Sequence, residues 1–455
     1  MVDVAALRTR VTGPVLIPGD DNYSEESKGF ILNFSHTPDV IVGAASAQDV
    51  VEALRFAAEN VLPVRIQATG HGAHANITDG VLITTKRLDT VEIDASTRLA
   101  TIGAGVTWAK VIAAAAEYGL APITGSGATV GAIGFLLGGG MGPLINSYGL
   151  GSDRVREFEV VLANGDLVRA SGDDHPDLFW ALRGGKGGLG VVTAARIELV
   201  ELPALYGGSL LFDAENIEPA LRAWARYVDT VEPSVTTSVA IMRLPDLPFI
   251  PEPIRGRTLL SVRFAYTGEA DTGERLAAPL RAAAPVYLDD LGVMPASAIA
   301  KIHGDPTEPG VGWAEGRMLS GIDQDFVTTL LGSAGSDRQF PFTVVEVRAF
   351  GSALATDVSI GSAAGGRESK GALNVVAVPD PELFAAVIPG AASAFFGALA
   401  PWIAPINNVN FASGFGSVAE YRGAWPPSVF DELEVVKRRY DPSGVFAYGV
   451  HEPVA

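Results

Sequence analysis

The stretch QATGHGAHANITDG, residues 67–80, holds His71 and His74 three positions apart among mostly small residues. A neutral imidazole is a competent nucleophile at physiological pH, and the flanking Gly70 and Gly72 let the backbone approach a partner closely. The plainer alternative is a histidine that only hydrogen-bonds within a turn. A second candidate lies in FTVVEVRAFG, residues 342–351, which reads as a strand. Alternation puts Val345, Val347 and Ala349 on one face and Glu346 with Arg348 on the other. As a solvated ion pair these two would contribute roughly 0–1 kcal/mol. A third candidate is GSGATVGAIGFLLGGGMGPL, residues 125–144, where missing side chains bare a row of backbone N–H groups. Such a path suits a pyrophosphate and a flat ring, and it equally suits a turn that packs helices tightly.

The elements that must position these residues alternate strand and helix. Ser46 is placed to cap a helix whose Val50, Val51, Leu54, Ala57 and Ala58 recur at helical spacing, and that helix leads into the strand VRIQA just before the His71 loop. VLITT and VEID read as further strands, and Thr107 caps WAKVIAAAAEYG, which stops at Gly119. FEVVLANGDLVRAS reads as a hairpin with Asn164-Gly165 as a two-residue turn. Helices interleaved with hairpins place the chain in the α+β class. After Pro203 the strands LYGGSLLF, TLLSVRFAY, FTVVEVRAFG and ALNVVAVP alternate with helical stretches such as ENIEPALRAWARYV and DTGERLAAPLRAA. That pattern describes a sheet covered on one face by helices.

Composition removes whole classes of function. A chain of 455 residues with 48% hydrophobic content has the mass for two folded domains. A formal charge of −19 repels phosphate backbones, so nucleic acid is excluded as a partner. Without cysteine there are no disulfides, thiolate zinc sites or iron–sulfur clusters. The six histidines form no His-Glu-x-x-His, and no tight carboxylate cluster is visible, so no metal is expected. The start MVDVAALRTR lacks a secretory pattern, which makes a cytoplasmic location the expectation. Residues 383–405 carry no charge, yet Pro389 and Pro401 cut them below spanning length, so buried helices and no membrane partner are expected. GKGGLG, residues 185–190, spells G-x-G-x-x-G, but a helix precedes it and a strand follows, the reverse of a dinucleotide fingerprint. His175 reads as a surface residue and His303, in KIHGDP, as either a pocket residue or an exposed loop residue, with the loop favoured.

Four segments taken together carry a resemblance: QATGHGAH, then GSGATVGAIGFLLGGGMGPLINSYGLGSDRVREFEVVLANGDLVRAS, then HPDLFWALRGGKGGLGVVTAARIEL, and finally RRYDPSGVF. They resemble the berberine bridge enzyme-like branch of the FAD-linked oxidases, within the vanillyl-alcohol oxidase superfamily. The resemblance implies a two-domain α+β fold. Its FAD-binding domain, of the PCMH type, is discontinuous, taking residues 1–203 and a C-terminal return at 399–455; residues 204–398 form the substrate-binding domain, an antiparallel sheet covered by helices. It further implies FAD bonded through its 8α carbon to the histidine matching His71, with His74 structural or pocket-lining. Where the family often has Arg-Ser-Gly-Gly, this chain has Gln67, Ala68, Thr69 and Gly70. The other cofactor contacts implied are Gly72, Gly125, Ser126, Gly127, Thr129, Val130, Gly131, Gly134, Gly138, Gly139, Gly140, Gly190, Val191, Asn408, Asn410 and Phe411. Many relatives attach flavin a second time through a cysteine; Gly127 stands there, so that bond is excluded.

The activity implied is hydride transfer from a carbon bearing O or N on a small organic molecule to the flavin, with O2 as acceptor. Val130, just before Gly131, is of a size that admits oxygen in the family. Two departures stand out: Asn408 replaces a tyrosine that works near the reacting carbon, and Gly449 and Val450 replace an asparagine–glutamine pair. Because the resemblance turns the open sheet face toward the flavin, Glu346 becomes the expected base and Arg348 its orienting partner. The alternatives are a dehydrogenase with another acceptor, or a catalytically weakened flavoprotein that binds a metabolite. A monomer or homodimer is expected.

Overall fold

Helix Ala47–Glu59 starts where Ser46 Oγ accepts from the Asp49 amide at 3.2 Å. Its Val50, Ala53, Leu54 and Ala57 pack against a four-stranded sheet ordered Val15–Leu16, Val40–Gly43, Val81–Thr84, Val64–Gln67. The last three strands are parallel, as a strand–helix–strand connection requires. The structure, a computed structural model, describes residues 3–248, 250–338, 340–377, 380–412 and 417–446. Gly449 and Val450 lie outside them.

A second sheet of five antiparallel strands follows, ordered Val91–Asp94, Leu99–Gly103, Val191–Glu198, Val155–Val161, Leu167–Ser171. In its hairpin, Leu162 and Asp166 pair at 2.9 Å across Ala163, Asn164 and Gly165. The loop is therefore one residue longer than the two-residue turn expected. GKGGLG sits between helix Pro176–Leu182 and strand Val191–Glu198, the order that removed it as a dinucleotide site.

The middle of the chain forms an eight-stranded antiparallel sheet in which strand Thr236–Arg243 lies between Thr258–Tyr266 and Phe342–Ala349. Helices Ile217–Val228, Ala270–Arg281, Gln324–Ala334 and Ile388–Ala398 bury one face, where Val239, Val262, Val345 and Val347 are all but inaccessible. Glu346 and Arg348 share the other face. Pro389 stands at the start of helix Ile388–Ala398, where a proline is tolerated, rather than breaking it. No helix among the described residues is long and apolar enough to cross a membrane.

After the middle sheet the chain returns: Tyr421, Trp425, Phe430, Leu433 and Val436 join the core of the first half. Trp425 Nε1 donates to the Gly184 carbonyl at 3.0 Å, and the Val64 amide donates to the Val445 carbonyl at 2.8 Å. Ala296, Ile299 and Ile302, from the middle of the chain, are packed into the same core.

Candidate active site

Strand Val64–Gln67 ends at the loop that carries His71. Gly70 turns it: φ is +77°, and a Cβ there would stand 2.5 Å from the Gly29 Cα, so conformation and space both require glycine. The turn lays the His71 ring on Phe30, with centroids 3.6 Å apart and planes at 17°. Nε2 is 3.1 Å from Thr129 Oγ1, and Nδ1 has no hydrogen-bond partner among the described residues. Burial, opposed by the hydrogen bond to Thr129, pushes the imidazole down to about 4, so the ring is neutral at physiological pH. His74 is exposed, its Nδ1 3.3 Å from the Gly72 carbonyl oxygen.

This loop meets the glycine-rich segment directly. The Gly131 amide donates to Thr69 Oγ1 at 3.2 Å, and a Gly131 Cβ would lie 3.5 Å from that of Ala68. Gly131 also opens helix Ala132–Leu137, and the half-buried Val130 sends its carbonyl to the Trp108 amide at 3.0 Å. Gly72 and Gly134 have open space where side chains would project, whereas Gly125 and Gly140 are pressed on Phe135 and Gly138 on the Asn410 side chain. Gly139 lies 3.3 Å by the same measure from Ala364, and Gly190 abuts Val160. Lys186 Nζ ties the segment together, donating to the Gly134 carbonyl at 2.7 Å and Asn410 Oδ1 at 2.6 Å. Burial pushes this ammonium down to about 8.

Three residues expected at the cofactor turn their side chains into the protein. Gln67 is buried and donates to the Ser27 carbonyl at 2.9 Å. Val191 joins the core of the first sheet. Asn408 has no exposed surface; its Nδ2 donates to the Gly365 carbonyl at 3.0 Å and its Oδ1 accepts from the Asn410 amide at 2.9 Å. An amide so engaged braces the loop and has no atom left for a reacting group.

On the open face of the middle sheet, Glu346 and Arg348 are not a solvated pair. Glu346 is 5% exposed; Oε1 accepts from Arg263 Nη1, and Oε2 from Arg348 Nε at 2.9 Å. Burial alone would push its carboxyl up, but the charges and hydrogen bonds of Arg348 and Arg263 outweigh that and hold it below the ordinary carboxylate range. Arg348 Nη2 reaches Ser126 Oγ at 3.4 Å, and its guanidinium lies 5.5 Å from the centre of the Phe411 ring. It thereby links the sheet face to the loops. Asp305 comes from the same side, its Oδ2 3.6 Å from where a Gly127 Cβ would stand. His303 corrects the expectation of an exposed loop residue: its side chain is 5% exposed, with Nε2 3.5 Å from Glu346 Oε1. The cause is helical turn Ala296–Ile302, whose Ile299 and Ile302 are buried in the core and carry the next residue inward.

Residues 38–171 match the FAD binding domain family. The (R)-6-hydroxynicotine oxidase of Paenarthrobacter nicotinovorans is 30% identical over 292 residues, which is 62% of this chain and 61% of that protein. Among solved structures, 6-hydroxy-D-nicotine oxidase from Arthrobacter nicotinovorans superposes with a TM-score of 0.80 over 96% of both chains at 24% identity. BBE-like 1 from Physcomitrella patens does so with a TM-score of 0.83 over 98% of both at 16% identity. The chain carries an FAD-binding domain on the fold of the FAD-linked oxidases. It spans less than two thirds of the length of its curated hydroxynicotine oxidase relative. Among the described residues of this FAD-linked fold, no group of histidine and carboxylate side chains could hold a metal.

Sequence reasoning missed Phe30, Lys186 and Arg263. Phe30 has no sequence signal, because its contact with His71 joins loops that are distant in the chain. Lys186 was visible in GKGGLG as a cation among glycines, and Arg263 as the charged residue within the apolar strand TLLSVRFAY.

Proposed function

We propose that this protein is a flavin-dependent oxidase of a small organic molecule. The carrying observation is that a neutral, half-buried His71 with a free Nδ1 sits where two bare-backbone loops meet, one of which touches, through Ser126, Arg348 of a buried charged sheet face. The residues fit FAD: His71 would attach it, the open faces of Gly72 and Gly134 would let the backbone lie against it, and Thr69, Thr129 and Asn410 would hold the loops around it. Bound FAD would supply the hydride acceptor. In this reading Glu346 takes the proton of the substrate's hydroxyl or amine as hydride leaves the adjacent carbon. Arg348 and Arg263 keep that carboxylate ionised and fixed, at the cost of some basicity. Oxygen is the acceptor, a reading supported by the modest side chain of Val130 beside Gly131.

The test has two parts. Acid-precipitated protein should remain yellow and fluoresce under ultraviolet light on a denaturing gel; colourless protein would remove the His71 bond. Peroxide release across a panel of alcohols, amines and sugars, with stopped-flow mixing of reduced protein and air-saturated buffer, decides the acceptor. Reoxidation no faster than that of free reduced flavin makes the chain a dehydrogenase; a flavin that no substrate reduces makes it a binder.

A further inference from the structure

The loop that carries His71 has no core of its own. From Ala68 to Asp79 every residue is half-buried or exposed, so contacts from elsewhere must set the direction of the ring. Two do so. Thr129 Oγ1 meets Nε2 at 3.1 Å, and Phe30 covers one face of the imidazole, with ring centroids 3.6 Å apart. The last torsion of a histidine is soft, and a single hydrogen bond leaves the ring free to turn about it. The stacked phenyl removes that freedom, because a rotated imidazole would drive its edge into the phenyl face. Nδ1 is thereby held in one direction.

Phe30 is itself held from two sides. On the first, its amide donates to the Thr69 carbonyl at 2.8 Å, beside the close approach of Gly29 to Gly70. On the second stand residues 310–312, from the middle of the chain. The Gly310 amide donates to the Phe30 carbonyl at 3.0 Å and the Leu32 amide to the Gly310 carbonyl at 2.9 Å, which makes a parallel bridge. Asn33 extends it: Nδ2 donates to the Gly312 carbonyl at 2.8 Å, and Oδ1 accepts from the Gly312 amide at 2.9 Å. Residues 310–312 belong to the connection between helical turn Ala296–Ile302 and strand Ala314–Leu319, and no residue from 304 to 313 is buried. The clasp on Phe30 therefore rests on hydrogen bonds, and it needs the middle sheet in place.

We infer that Phe30 is a positioning residue for attachment of the flavin, and that residues 310–312 clasp it into position once the middle sheet has folded. The inference rests on the reading of His71 as the point of attachment. In that step a bond forms between His71 Nδ1 and the 8α carbon of FAD. One hydrogen from that methyl carbon and one from the imidazole leave with two electrons and end on O2 as hydrogen peroxide. Phe30 takes no part in the electron count; it aims the Nδ1 lone pair. FAD then binds first, and the bond closes after the clasp.

The test uses full-length protein purified from riboflavin-starved cells, to which FAD is added. Two quantities are followed: the flavin bound to native protein, and the share of it that stays on the chain after denaturation. Phe30→Leu should bind FAD as the parent does and form the bond about tenfold more slowly, the upper worth of an aromatic pair. Phe30→Tyr keeps the ring and should restore the rate. Asn33→Ala acts through the clasp and should slow the bond about threefold, the worth of a hydrogen bond. A residue that only supports the fold would lower bound flavin and unfolding temperature while the attached share stayed the same. That result overturns the inference, as does attachment at the parent rate in Phe30→Leu. Slowing in Phe30→Leu with none in Asn33→Ala overturns the clasp. Should Phe30→Leu fail to fold, Asn33→Ala decides alone, and attachment at the parent rate there overturns the inference. A parent whose flavin never survives denaturation defeats the His71 reading on which it rests.

Discussion

The glycine-rich loops and the open face of the middle sheet, a loop wall and a sheet wall, differ in what they present. The first presents bare backbone and one neutral ring; its geometry is fixed by Gly70 and by the bond between Gly131 and Thr69. The second presents Arg263, Glu346 and Arg348, held in place by one another along strand Phe342–Ala349 and over the intervening strand Thr236–Arg243. A backbone wall tolerates loss of any single hydrogen bond, because a bond contributes only about 0.5–1.5 kcal/mol. A buried ionic wall does not, because removing one charge strands the others; breaking such a pair typically costs about 3–5 kcal/mol.

Substitutions can break this contrast. The largest effect is expected at His71, where His71→Ala should abolish the flavin that survives denaturation, read as fluorescence on a gel. Retention of that band would move the attachment to His74. Next comes Glu346→Gln, which should slow flavin reduction about 100-fold, at the low end of the 10²–10⁴ typical of general bases because two arginines already weaken this one. The same variant should lose about 3–5 kcal/mol in denaturant unfolding, against the roughly 0–1 kcal/mol expected of a surface pair. Gly70→Ala tests the loop wall, and forcing a side chain into that conformation should cost about 1–3 kcal/mol and lower flavin content.

Acid should affect both walls in the same sense. His71 and His303 have folded values below the ordinary 6.5, so below that pH the unfolded chain binds protons that the folded chain refuses. In protein free of flavin, stability is therefore expected to fall as pH drops from about 6.5, with the His71 share levelling off near 4. Denaturant midpoints at several pH values should show a shallower slope in His303→Gln than in the parent between pH 6.5 and 5. The smallest effect belongs to exposed His74, where alanine should leave stability within about 0.5 kcal/mol and flavin unchanged.

The loop wall was largely legible in the sequence because its signals are local: a strand, then glycines around a histidine, then a glycine-rich path. Even there the inward turn of the Gln67, Asn408 and Val191 side chains was not legible, since the direction of a side chain depends on neighbours far along the chain. The face shared by Glu346 and Arg348 followed from the two-residue period of a strand. Their third partner did not, because Arg263 is 83 residues from Glu346 and only the register of three strands brings them together. His303 was misread for a related reason. The letters HGDP suit an exposed turn, and nothing local says that Ile299 and Ile302 drag it inward. The hairpin at Asn164 was one residue longer than expected because the pairing of Leu162 with Asp166 is set by the sheet, not by the turn residues alone.

The late return of the chain also bears on how the protein is made. Tyr421, Trp425 and Leu433 join a core most of whose other members are made by Leu205, with Ala296, Ile299 and Ile302 among the later ones. At about 5–20 residues per second, a ribosome needs roughly 10–45 s to travel between those points. Throughout that interval the nascent first half has its strands and helices but lacks the lid of its own interior. The middle sheet must meanwhile fold beside an exposed apolar surface. A truncation just before Tyr421 should leave that surface uncovered for good, and aggregation of the shortened chain would report it.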